Sequence, residues 1–196
     1  MLKQIKDLGI EFADASGEAI IPIQIDGITG HIAKENFLLD TGSVSIEYAQ
    51  VADIKSSGVN GGSYPTALTT ITRNLNTITS SALWLTLSSN AFTLQPGTYI
   101  IDATVPAVYV GNFKAWLADS SNNIISLGTP QYSSEGAPYV TAISTIKGKI
   151  IVTSATEYSV KFWASNARSQ NYVLGIATGI SGQSEVYTQV NITKVA

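Results

Sequence analysis

Apolar and polar residues alternate with a period of two along most of this chain. In Leu83–Val105, Leu83, Leu85 and Leu87 alternate with Trp84 and Thr86, and Phe92 and Leu94 continue the pattern beyond Ser88–Ala91. Tyr99, Ile101, Ala103 and Val105 then share one face, opposite Thr98, Asp102 and Thr104. Such alternation places one row of side chains on the same side of an extended strand. Pro96-Gly97 predicts a tight turn, so the two segments read as a hairpin. Tyr158, Val160, Phe162 and Ala164 form a further apolar face, opposite Lys161 and Trp163, and Val186, Thr188, Val190 and Ile192 form another.

The same reading predicts strands at Asn76–Thr79, Asn112–Ala118, Ile124–Leu127, Tyr139–Ile146, Lys149–Thr153 and Tyr172–Ile176. Turn-forming clusters separate them at Asp119–Asn123, Ser133–Gly136 and Gly179–Gly182. No segment holds a 3.6-residue period, which argues against βαβ architectures. Roughly eight to ten short strands in about 130 residues predict an all-β fold, an antiparallel β-sandwich of the jelly-roll kind.

The first 40 residues have a different character. Ala19–Ile25 reads as a strand, Asp26-Gly27 as a two-residue turn, Ile28–Ile32 as the return strand and Ala33–Leu39 as a short helical turn. This small β-hairpin unit is too short to bury a core of its own. Ile20, Ile21, Ile23, Ile25 and Ile28 therefore stand out as candidates for attachment to a partner surface. Residues 41–63, rich in loop-type clusters such as Asn60-Gly61-Gly62-Ser63, read as a linker, and 64–196 as the sandwich. Within the linker, 44–55 fits a helix or a strand, with strand preferred.

Composition narrows the class. Charged residues are 13% of the chain, about half the usual share. Mean hydropathy is +0.18, yet no apolar run approaches the ~18 residues of a membrane span. Low charge without membrane insertion points to apolar surface buried between subunits. There is no cysteine, which excludes disulfides and thiolate metal sites. The first ten residues lack the pattern of a signal peptide, so synthesis in a cytoplasm is expected. Nine of the fourteen acids but only four of the eleven bases lie in residues 1–55. Neither part carries the basic patch of a nucleic-acid binder.

The chemistry is sparse. His31 is the one histidine, and its neighbourhood predicts a surface or packing role over a triad or metal site. Asp102, Asp119, Glu135, Glu157 and Glu185 are well separated, and turn roles explain Asp119 and Glu135 more simply than a glycosidase pair does. Phosphate-binding loops, dinucleotide fingerprints and calcium loops are missing from the sequence. The expectation is a non-enzyme with no cofactor and no metal. Trp116 and Trp163 lie out of phase with the apolar face of their strands. They fit either a subunit interface, where aromatics are enriched, or an exposed platform for a sugar. Lys114, with Arg73, Lys147 and Lys149, would favour an acidic sugar, and solvated strand faces account for them equally well. Asn191-Ile192-Thr193 matches a glycosylation sequon by chance.

Two stretches carry a family resemblance. Thr72-Arg73-Asn74-Leu75-Asn76-Thr77, Phe92-Thr93-Leu94 with Pro96-Gly97-Thr98-Tyr99, Gly128-Thr129 before Tyr132, and Glu185-Val186-Tyr187-Thr188 resemble the jelly-roll domain that ends many short bacteriophage fibre and appendage proteins. Those domains are similar to the tumour necrosis factor-like trimeric jelly roll. Ala19-Ile20-Ile21-Pro22-Ile23-Gln24 with Asp26-Gly27-Ile28-Thr29 is similar to a segment near the N-terminus of many phage fibre and tail proteins. The resemblance implies a homotrimeric structural protein at the virion surface, such as a capsid decoration. Its N-terminal segment would be held by phage capsid or tail proteins and its jelly roll displayed outward. The alternative it implies is a receptor-binding tail fibre tip that recognises host surface glycan.

Overall fold

The computed structural model describes residues 20–25, 28–33, 46–80, 82–136 and 139–195. The chain divides into two units, Met1–Val44 and Ser45–Ala196. In the first, β1 (Ile20–Ile25) and β2 (Ile28–Ala33) pair antiparallel, with Ile25 opposite Ile28 and Ile20 opposite Ala33. That is the hairpin the isoleucine-rich segment predicts. Its Asp26-Gly27 turn and the helical turn expected up to Leu39 lie outside the described residues.

The second unit is a sandwich of two antiparallel sheets, with no helix among the described residues. Its strands are β3 (Glu47–Lys55), β4 (Thr70–Thr72), β5 (Thr77–Ile78), β6 (Leu85–Ser88), β7 (Ala91–Leu94) and β8 (Gly97–Val108). They continue as β9 (Gly111–Asp119), β10 (Ile124–Leu127), β11 (Gln131–Ser133), β12 (Thr141–Val152), β13 (Thr156–Ala164) and β14 (Glu185–Lys194). Five strands lie in the order β12-β8-β14-β3-β5. The other seven run β10-β9-β13-β7-β6, with β11 added on β9 and β4 on β13. The chain passes repeatedly from one sheet to the other, as the jelly-roll reading expects.

Inward-facing rows from both sheets make one core. Phe92, Leu94, Phe113, Leu117, Val160 and Phe162 come from the seven-stranded sheet, and Val51, Tyr99, Ile101, Val105, Ile146 and Ile192 from the five-stranded one, all buried. Removing a side chain of this size from water stabilises the fold by about 1.5–3 kcal/mol each. The alternation in Tyr99–Val105 and Tyr158–Ala164 predicts these rows correctly.

Several expectations need correction. Residues 47–55 are not linker: β3 pairs with β14 along its length and with β5 at Val51 and Ala52. Ala49, Val51 and Asp53 point to the core side, and the sandwich unit therefore starts well before residue 64. Pro96-Gly97 joins no hairpin. β7 pairs with β6 and β13, β8 pairs with β12 and β14, and the turn carries the chain between the sheets. Leu83 is fully exposed while Trp84 is buried, because the strand begins only at Leu85. Val186 is exposed, because a register shift between Val186 and Gln189 breaks the alternation in β14. Tyr172–Ile176 is not a strand, and Tyr139–Ile146 with Lys149–Thr153 proves to be one strand, β12, running through Gly148.

Candidate functional site

Glu185 accepts hydrogen bonds from the backbone N–H groups of Thr178 (3.0 Å), Gly179 (2.8 Å) and Gly58 (3.1 Å). These bonds hold its carboxyl below the usual range and tie two loops to β14. Asp119 accepts from Asn123 and from the Ser121 N–H, closing the turn between β9 and β10, and its pKa is likewise lowered by these bonds. Asp102 pairs with Lys147 at 3.2 Å. Each of these acids performs a structural task. No group of three or more potential metal ligands occurs among the described residues. His31 lies in β2 opposite Pro22, apart from these acids in sequence.

Arg73 does not join the surface bases. It is 1% exposed, and its Nε donates to Thr188 Oγ1 (2.9 Å) and its Nη2 to the Leu174 carbonyl (2.8 Å). Its guanidinium lies over the Phe162 ring at 5.3 Å. Burial pushes it down to about 10, against the attraction of Asp53. Asp53 is itself buried, which raises its pKa against the pull of Lys55 and Arg73. The Thr72–Thr77 stretch gave no periodic signal that would place Arg73 inside.

The three tryptophans separate cleanly. Trp84 is 4% exposed, donates its indole N–H to Glu47 Oε2 (2.9 Å) and packs against Tyr99. It is a core residue. Trp116 and Trp163 sit on the outer face of the seven-stranded sheet, half-buried, and neither stacks on another aromatic ring among the described residues. The register brings them together. On β9 and β13, Trp163 is directly opposite Lys114, and Trp116 is directly opposite Lys161. Directly opposed Cβ atoms stand about 5 Å apart and diagonal ones about 7 Å apart. The two indoles and two ammoniums therefore form a checkerboard of four.

Neighbouring strands extend it. Thr70 and Thr72 of β4 lie opposite Trp163 and Lys161, and Lys161 Nζ donates to Thr72 Oγ1 at 3.0 Å. On the far side, Leu127 of β10 is opposite Trp116, and the exposed Tyr132 of β11 is opposite Asn112. Among the described residues neither Lys114 nor Lys161 pairs with a carboxylate. Of the four bases singled out in the sequence, only Lys114 belongs to this patch; Arg73 is buried, and Lys147 and Lys149 lie on β12, in the other sheet. Lys161, which the sequence places only as the polar side of its strand, completes it.

The outer face of the five-stranded sheet is different. Asn191 accepts from Tyr48 Oη and Gln50 Nε2, both at 2.7 Å, building a cross-strand polar ladder between β3 and β14. That pairing occupies the Asn191 of the sequon. Around the ladder, Tyr48, Ile100, Ile143 and Ile151 are exposed. A tyrosine cluster closes one end of the sandwich, with Tyr139 4.9 Å from Tyr109 and 5.6 Å from Tyr172, and Arg168 over the Tyr109 ring at 4.0 Å. The side chains of Ile20, Ile21, Ile23, Ile25 and Ile28 lie outside what is described, so only their strand pairing is established.

No family model matches the chain, and no curated protein matches it. Solved structures do. The crystal structure of murine APRIL at pH 8.0 is similar over 76% of this chain and 99% of its own, with TM-score 0.48 and 9% identity. The globular domain of the zebrafish complement 1qA protein is similar over 76% of this chain and 97% of its own, with TM-score 0.45 and 11% identity. At that level of similarity neither says anything about activity or partners.

Proposed function

We propose that this chain is a non-enzymatic structural appendage of a phage virion, assembled as a homotrimer and held by its N-terminal unit. The observation that carries the reading is the two-unit construction. A 44-residue unit containing an isoleucine-rich hairpin precedes a sandwich that closes its own core. So small a unit gains little from its own burial and needs a partner surface, and the sequence resemblance supplies phage capsid or tail proteins as that partner. Support for a trimer comes from the outer face of the five-stranded sheet, where Tyr48, Ile100, Ile143 and Ile151 leave apolar area in water. A closed three-fold assembly covers such area without leaving a surface that recruits further copies.

The test uses the full chain with Ile21 and Ile23 changed to Asp. Sedimentation equilibrium is expected to return a trimer for the wild type and the variant alike. The variant is expected not to add back onto particles that lack the protein. Normal occupancy by the variant would move the attachment surface into the sandwich, and a monomeric wild type at micromolar concentration would remove the trimer.

A further inference from the structure

We propose that the Trp116–Lys161–Lys114–Trp163 checkerboard is a binding site for an anionic oligosaccharide, one whose sugars carry carboxylate or sulfate groups. The proposal gives the displayed module of the preceding reading a ligand, and rests on that reading only for its biological setting. The geometry argues in three steps. First, two tryptophans on the solvent side of a sheet need a reason to be there, since their own core is already filled from the opposite face. Neither indole is covered by a lysine ammonium among the described residues; the three cation–ring contacts all lie elsewhere. Nor does either indole N–H have a partner among the described residues, in contrast to that of Trp84. Each is half-buried and keeps an indole N–H free among the described residues, a pairing of apolar ring and donor that suits the C–H face and the ring-edge oxygens of a pyranose.

Second, the charge on the patch has one sign. Lys114 and Lys161 are the charged residues of its four central positions. The acid in the same outward phase, Glu157, is four residues from Lys161 on β13, opposite Thr93; along a strand that is about 13 Å. Unpaired ammoniums set between indoles favour a ligand that carries negative charge beside an apolar ring face.

Third, the spacing fits a linear chain. The row Thr72–Lys161–Trp116–Leu127 and the row Thr70–Trp163–Lys114 run across β4, β13 and β9, the first continuing to β10. Successive positions in a row are one strand apart, about 4.8 Å, close to the advance of one sugar residue along an extended oligosaccharide. An oligosaccharide lying across the strands thus meets one ammonium and one indole at successive steps of each row.

The experiment titrates the full chain with three hexasaccharides: an oligogalacturonate, a heparin fragment and neutral maltohexaose. Binding to either anionic probe, at least about tenfold tighter than to maltohexaose and weakening with salt, is expected; which of the two binds tells carboxylate from sulfate. Trp116→Ala with Trp163→Ala, and separately Lys114→Gln with Lys161→Gln, should each weaken binding severalfold, while Trp116→Phe with Trp163→Phe retains most of it. The sedimentation of all these variants should match the wild type. Should the alanine pair fail to fold, the Trp84→Phe variant carries the test: its remaining indole emission must respond to the bound probe. Equal affinity for neutral and anionic probes, or no binding to any, overturns the proposal. So does unchanged binding by the alanine pair, Trp116→Ala with Trp163→Ala, which would leave only diffuse attraction to lysines. A change of oligomeric state in those variants would assign the face to contact between copies. None of these readouts depends on particle attachment, so failure here leaves the attachment reading standing.

Discussion

Arg73 is a large charged side chain held fully inside the sandwich. Two hydrogen bonds and the Phe162 ring hold its guanidinium, yet Nη1 has no partner among the described residues. A buried charge is costly unless its hydrogen bonds and its counter-charge offset the loss of water. Truncating it strands Thr188 Oγ1, the Leu174 carbonyl and the attraction of Asp53 together. Arg73→Ala should therefore cost about 3–5 kcal/mol, measured by urea unfolding. Arg73→Met fills the same volume without the charge, and doubled with Asp53→Asn it should recover much of that loss. A loss from Arg73→Ala below about 1 kcal/mol would show the site to be wetter than its burial implies. At the same scale, Gly175 is irreplaceable for a plain steric reason. It sits at φ +146°, and a Cβ there would lie 2.0 Å from the Tyr187 ring. Gly175→Ala should lower stability by about 2 kcal/mol or more in the same assay.

Elements were legible where the strand is long and one face is buried. β8, β9 and β13 carry four or more alternating positions, and the faces assigned from sequence are the faces observed, including the outward placing of Trp116 and Trp163. Legibility fails where the pattern is too short or a local event breaks it. β4 and β11 have three residues each and offer no period to detect. Gly148 looks like a chain breaker, but β12 runs straight through it on its pairing with β8, and the position suits glycine because a Cβ there would press on Ser126 Oγ at 2.9 Å. Pro96-Gly97 has the same turn chemistry whether it closes a hairpin or crosses between sheets; only the pairing partners of β7 and β8 decide. The candidate site was legible in part for the same reason. Phase put both tryptophans outside, but their meeting with Lys114 and Lys161 depends on the β9–β13 register, which one strand alone does not contain.

The loops around β14 carry a pH signature of their own. Glu185 is held below the ordinary 4.5 by three backbone donors, so its bonds contribute fully above that value. The contribution fades as pH falls through the lowered value. Asp119 acts with the same sign, whereas Asp53, raised by burial, acts against them. Urea midpoints for wild type should drop between neutral pH and about pH 3, and Glu185→Gln should be less stable at neutral pH with a shallower drop. An equally steep drop in the variant would place the acid sensitivity elsewhere.

For the molecule as a whole, the five-stranded sheet holds its most distant pairings. β14 lies between β8 and β3 at the middle of that sheet. Residues 185–194 thus complete strands laid down from residue 47 onward. During synthesis β3 emerges some 130 residues before its partner, with Val51 and Ala49 unshielded meanwhile. A ribosome therefore presents an open sheet edge throughout the interval between β3 and β14, and a nascent chain stalled before Glu185 keeps that edge indefinitely. Such a product has the makings of a substrate for cellular holdases. Slow, late closure of this kind makes the arrival of β14 the step that completes the five-stranded sheet.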